Sequence, residues 1–192
     1  MSAIVIESLK QKIASIEHGS IREAYNNSFT TGSADFDNIF SSYGLPKGAL
    51  LEVLPKTYKQ RSSAIGAVLA ILARLLCDKT GPVIWCQLRD PERLHLHAPG
   101  LAAFGIDPSR IIKLTLKSEQ DLLWAMEEAL DCPYISGVVG VLWGEKLYNF
   151  TASKRLSMRA KESGVSALML RSHRANGTTA ADMRWQISAD ES

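Results

Sequence analysis

The sequence predicts a three-layer α/β domain with a mostly parallel central sheet. Three observations carry that prediction. Short apolar runs alternate with helical periodicities from Ala49 to Ile187. The runs are apolar on both faces, the signature of strands covered on both sides. Helical segments lie between them, as parallel βαβ crossovers require. At 192 residues, 46% hydrophobic and 22% charged, the chain can bury a core without disulfide or metal staples. Its net charge of +2 excludes binding a polyanion by bulk charge and leaves room for a local basic patch.

The elements follow in order. Ile4, Val5, Leu9, Ile13 and Ile16 recur among charged residues as an amphipathic helix, which Gly19 ends. A polar link through Asn26 and Asn27 leads to Thr31-Gly32-Ser33 and a short helix carrying Phe36, Ile39 and Phe40. The division expected is residues 1–25 as helix and linker, and 26–192 as core domain. Turn chemistry from Gly44 to Gly48 precedes a strand at Ala49–Leu54. Ser62–Cys77 is a helix apolar nearly all round, so it must be covered on most sides. Strands are then expected at Pro82–Cys86, Ile111–Leu116, Ile135–Leu142, Val165–Leu170 and Met183–Ile187. Helices are expected at His95–Phe104, Glu119–Leu130 and Thr151–Glu162. Ser172–Asp182 (SHRANGTTAAD) is polar enough to be expected mobile.

In such folds the loop after the first strand is the default phosphate site, through the pattern G-x-x-x-x-G-K-[ST]. Here Pro55-Lys56-Thr57-Tyr58-Lys59-Gln60-Arg61-Ser62 keeps the spacing and loses the chemistry. Pro55 offers no N–H, Gln60 would be strained at a positive φ, and Arg61 replaces the lysine. Ser62 retains a hydroxyl suited to magnesium, and Arg61 a charge suited to an anion. Pro133–Gly144 contains no Asp or Glu to hold a metal, and Trp143 stands where that strand ends. At the end of the second strand Gln87 replaces a water-activating carboxylate. The expectation is a non-catalytic protein with a degenerate nucleotide loop, no cofactor and no metal.

Ordered segments resemble RecA over roughly Ser8 to Ile187. They are Ile16-Glu17, Gly19-Ser20-Ile21, Thr31-Gly32-Ser33 with Asp35, Phe36 and Ile39, Gly44–Gly48 before Leu51-Glu52-Val53, and Phe104-Gly105-Ile106-Asp107 before Ile111. A closer resemblance is to the ImuA family, RecA-related accessory proteins of bacterial inducible mutagenesis. It is carried by Gly81–Cys86, Ala98–Gly105, Leu123–Leu130, Ala152–Leu156, Ser163-Gly164-Val165 and Arg184-Trp185. That family also lacks a proper phosphate loop. The resemblance implies a RecA-like fold and work beside an ImuB-type Y-family polymerase homologue, RecA and DNA in the SOS response. It also implies a C-terminal extension beyond the position of Ser192; if partner contacts lie in it, this chain would fold yet bind poorly. The division inhibitor SulA resembles Val138–Trp143 and Leu168–Arg171, and a SulA-like inhibitor of the division GTPase is the alternative reading. A residual ATPase using Arg61 and Ser62 is the other.

Lys154, Arg155, Arg159, Lys161, Arg171 and Arg174 are candidate DNA- or partner-binding residues, since phosphate contacts need clustered cations. A solvated helix face is the competing reading. Ile6, Leu9, Ile13 and Ile16 form the apolar face of a candidate arm that docks on a second subunit, a copy of itself or RecA. His95 and His97 lack a metal-ligand spacing, and Trp85, Trp124 and Trp143 fall on elements expected to be buried. Cys77, Cys86 and Cys132 contain no CxxC and read as reduced thiols. With Glu7 interrupting the N-terminal apolar run, and Arg74 cutting the longest apolar stretch, a cytoplasmic protein is expected.

Overall fold

A computed structural model of the chain describes residues 27–40, 43–89, 96–144 and 146–189. Ile6, Leu9, Ile13 and Ile16 of the expected arm, and His95, lie outside those residues. The chain divides into two units, Met1–Lys47 and Gly48–Ser192.

In the first unit β1 (Ser28–Phe29) pairs antiparallel with β2 (Leu45–Pro46). Between them Ser33 caps the short α1 (Ala34–Asp37) by accepting from the Phe36 N–H. The Thr31-Gly32-Ser33 turn is built around Asp37. Its carboxylate accepts from Thr30 Oγ1, from the Thr31 N–H at 2.9 Å and from Thr31 Oγ1 at 2.7 Å. Gly44 has φ +152° and lies so close to β1 that a Cβ would sit 2.5 Å from the Phe29 carbonyl oxygen. Only glycine fits there.

The second unit is a six-stranded sheet flanked by helices. Its strands are β3 (Leu50–Pro55), β4 (Val83–Leu88), β5 (Ile111–Leu116), β6 (Gly137–Leu142), β7 (Ala167–Arg171) and β8 (Met183–Ile187). Their order is β5-β4-β6-β7-β3-β8, and every neighbouring pair is parallel. The helices are α2 (Arg61–Leu75), α3 (Ala98–Ala103), α4 (Glu119–Leu130) and α5 (Phe150–Ser163). The α/β class read from the sequence is therefore the observed one, with a sheet that is parallel throughout.

Alternation along the strands divides the core. Leu50, Ile84, Cys86, Val138 and Met169 share one face with Leu122 and Met126 of α4 and Leu156 and Ala160 of α5. Val53, Trp85, Val139 and Leu168 are buried on the opposite face, and α2 runs against β3, β7 and β8. Gly140 brings α4 onto the sheet: a Cβ there would meet Met126 Sδ at 2.4 Å. Ser118 and Asn149 cap α4 and α5 from their side chains, and Gly164 closes α5 at φ +72°.

Three expectations are corrected. Strand β5 is not covered on both faces; it lies at the sheet edge, with Ile112 46% exposed. Trp124 is 64% exposed because it falls on the outer face of α4. Segment 172–182 is tied down rather than loose. The Ala180 N–H donates to Ser153 Oγ at 2.9 Å. Asp182 accepts from the Leu50 N–H at 3.0 Å and Ser157 Oγ at 3.1 Å, and pairs with Lys161 at 2.7 Å.

Candidate functional site

Because all six strands run the same way, their carboxyl ends gather on one rim, the side on which open parallel sheets place ligands. The loop after β3 shows what that rim holds. Pro55 ends the strand, the Lys56 N–H donates to the Ile187 carbonyl at 2.8 Å, and Tyr58–Gln60 forms a 3-10 turn that runs straight into α2. No residue from Pro55 to Ser62 has a positive φ. The glycine-dependent phosphate wrap is thus absent from this segment, and a tight helical turn stands in its place. Gln60 is unstrained at φ −95° and ψ 14°, which corrects the strain expected from its position. The left-handed turn that would have strained it is not made.

Arg61 opens α2 with its guanidinium carbon over two rings, 4.0 Å from the centroid of Trp143 and 5.0 Å from that of Tyr58. Tyr58 meets His173 edge-on at 6.2 Å. With Ser172 and Arg174 these residues line a cavity of about 230 Å³ without an acidic side chain. A guanidinium lying over two aromatic rings is held in place by them, and its donors suit a carboxylate or phosphate. The cavity is smaller than the ~300 Å³ at which small-molecule sites usually begin. Its chemistry is that of a receptor for one anionic group, a carboxylate or a phosphate. Ser62 is exposed beside it. Gln87 is buried and accepts from Trp85 Nε1 at 3.2 Å, so its amide is engaged within its own strand.

The structure separates the six candidate basic residues. Arg174 joins Arg61 at the rim. Lys154 is exposed on α5. Arg155 pairs with Glu127 at 2.9 Å, Arg159 with Asp131, and Lys161 with Asp182. Arg171 is 1% exposed and cannot reach a nucleic acid or a partner. This corrects its assignment, and the reason is electrostatic: its guanidinium donates to Glu52 at 2.8 Å inside the core.

That Glu52 centre was missed from sequence. Glu52, itself 1% exposed, also accepts from Arg184 Nε at 2.7 Å and from the Tyr148 hydroxyl at 2.7 Å. Burial pushes its carboxyl up. Hydrogen bonds from Thr179, Tyr148 and Arg171, together with the charge of Arg171, outweigh burial and hold it below the ordinary carboxylate value. Arg184 extends the network, donating to the Gly177 carbonyl at 3.0 Å and Thr179 Oγ1 at 2.9 Å. The signal lay in single charges within otherwise apolar strands: Glu52 in LLEVLP, Arg171 in ALMLR and Arg184 in MRWQI. Among the described residues no group of three His, Cys, Asp or Glu side chains could hold a metal, and no helix is long and apolar enough to cross a membrane.

Fold and rim together define a class: a parallel α/β domain whose loop after β3 is a 3-10 turn running into α2. The sequence relationship is narrower. The chain is related to Protein ImuA of Caulobacter vibrioides, in strains NA1000 / CB15N and CB 15 alike, with 28% identity over 169 residues. The match covers 82% of this chain and 66% of each relative, so it spans about two thirds of their length. The likeness to ImuA read from the motifs is the observed one. No family model matches the chain. The crystal structure of SulA from Pseudomonas aeruginosa aligns with TM-score 0.47 and 21% identity, over 64% of this chain and 97% of that one.

Proposed function

We propose that this chain is a non-catalytic accessory protein of damage-induced translesion DNA synthesis, an adaptor between an ImuB-type polymerase homologue and RecA or DNA. The observation that carries the reading is Arg61, lying over the rings of Trp143 and Tyr58 on a loop with no phosphate wrap, in a chain related to ImuA. Phosphoryl transfer needs backbone amides turned inward around the phosphates and a carboxylate-held magnesium. Strand β6 ends in Leu142-Trp143 and β4 in Gln87-Leu88, which supply neither. Of the candidate basic residues, Lys154, Arg155, Arg159, Lys161 and Arg174 remain as DNA or partner contacts, joined at the rim by Arg61, and Ile6, Leu9, Ile13 and Ile16 as a docking arm. Deleting residues 1–20 is then expected to change oligomeric state or RecA binding.

The deciding experiment is equilibrium binding of a fluorescent ATP analogue with Mg²⁺, with Arg61→Ala as control. No binding by a chain that is folded by circular dichroism is the expected result. Binding that Arg61→Ala abolishes would overturn the proposal and make the protein a nucleotide-gated switch.

A further inference from the structure

Three adjacent strands, β6, β7 and β3, end on the same rim, and the segment after each supplies a wall of the cavity around Arg61. Trp143 follows β6, His173 and Arg174 follow β7, and Tyr58 and Arg61 follow β3. The charge there is one-sided. Arg61 and Arg174 are cations, and His173 adds a ring N–H. Lys56 and Lys59 are exposed on the loop that carries Tyr58. Residues 56–61 and 172–174 contain no Asp or Glu. Arg61 also opens the 15-residue α2, whose partly positive end favours an anion.

The walls are held in place by their own bonds. The Gln60 N–H donates to the Thr57 carbonyl at 3.1 Å, closing the turn that carries Tyr58. The Arg174 N–H donates to Ser172 Oγ at 3.2 Å and the Ala175 N–H to the Ser172 carbonyl at 3.0 Å, closing the turn that carries His173. Tyr58 and His173 meet edge-on and so join the two turns. Arg61 lies over the rings of Trp143 and Tyr58, which joins the third. Donors ordered in advance lower the entropy cost of binding.

Size and donors together select the anion. A cavity of about 230 Å³ holds one terminal group rather than a whole nucleotide. A single-stranded nucleic acid needs a row of cations for successive phosphates and open aromatic faces for its bases. Here the two arginines line one cavity, and Arg61 already covers one face each of Tyr58 and Trp143. The loop also lacks the glycine-dependent turn that wraps amides around a phosphate. A carboxylate needs only the paired N–H edge of a guanidinium, with a second donor beside it. We propose that this cavity is a carboxylate receptor for a peptide segment of another protein. It takes an Asp or Glu side chain, or a chain-terminal carboxylate, on Arg61, with Arg174 and His173 beside it. The inference deepens the reading of this loop as one that has lost its nucleotide, and rests on it.

The test follows the Trp143 indole N–H by NMR, assigned with Trp143→Phe among the chain's 4 tryptophans. The full chain is titrated with a short end-blocked peptide carrying one central aspartate, and with the same peptide carrying asparagine there. A short peptide whose only charge is its C-terminal carboxylate and a short oligothymidine complete the set. The expected result is a saturable shift with at least one carboxylate peptide and none with the asparagine peptide. Whichever carboxylate peptide saturates identifies the source. Affinity should fall about tenfold or more in Arg61→Ala and Arg174→Ala, which lose a charge-assisted pair. It should be unchanged in Lys113→Ala, an exposed lysine on the far edge strand β5. Thermal melts check that each variant is folded. Equal shifts with aspartate and asparagine, tighter binding of oligothymidine, or equal weakening in all three variants would overturn the proposal. If neither carboxylate peptide binds, the receptor falls and the non-catalytic reading stands. If the ATP analogue binds and Arg61→Ala abolishes it, the non-catalytic reading falls and takes this occupant with it.

Discussion

Glu52 is buried with two arginines and a tyrosine hydroxyl around it, and the network works only as a whole. Removing the carboxylate leaves Arg171 charged in the core, a loss that typically costs about 3–5 kcal/mol. Glu52→Ala is therefore expected to be strongly destabilising in urea unfolding. Glu52→Leu combined with Arg171→Met should cost less than the sum of the two single changes, because no fully buried charge is then left unpaired; Arg184, partly exposed, keeps its bonds to Gly177 and Thr179. Additive losses in that cycle would show that the pair is not coupled. The pH dependence has a definite sign. Glu52 titrates below its ordinary value of 4.5 in the folded chain, so its contribution is present above that pH. It is lost as the pH falls from there through the folded-state value. An acid limb that flattens in the Glu52→Leu/Arg171→Met chain is the expected readout.

At the scale of elements, segment 172–182 shows what local composition cannot see. Its residues are polar and glycine-containing, and read alone they describe a loose connection. They are held by partners far along the chain, Ser153 and Ser157 on α5 and Leu50 at the start of β3, and by the nearby Arg184 on β8. Asp182 makes most of these ties. Asp182→Ala should leave the Leu50 N–H and Ser157 hydroxyl short of an acceptor, at a cost of about 1–3 kcal/mol. Amide exchange should rise across 172–182 and leave β4 and β6 unchanged. Exchange already rapid in the parent chain would count against the tethering. The bounds of α4 agree with those expected, and those of α5 lie one residue outside them at each end, where the Asn149 and Gly164 caps set them; α3 starts three residues later than expected, at Ala98. Trp124 was misread because apolar character alone does not say on which face of a helix a residue falls.

For the whole molecule, the three-layer class was legible because alternating apolar strands and helices admit few arrangements. The strand order was not, since nothing local tells β3 that its neighbours are β7 and β8. The same divide runs through the rim. The missing glycines and carboxylates were read directly, whereas the ladder of His173, Tyr58, Arg61 and Trp143 joins residues brought together only by that order. A chain ended at Gly177 would lack β8 and, with it, Arg184 against Glu52. It is expected to lose cooperative thermal unfolding; a sharp transition near that of the parent would refute this. The sandwiching of β3 also bears on how the protein is made. Leu50–Pro55 leaves the ribosome more than a hundred residues before β7 and β8, the only strands it pairs with in the sheet. Throughout that interval an apolar segment with a single carboxylate lacks its sheet partners, the kind of exposure that makes slow non-local pairing prone to aggregation. Only when β7 and then β8 have been made can β3 be paired on both sides.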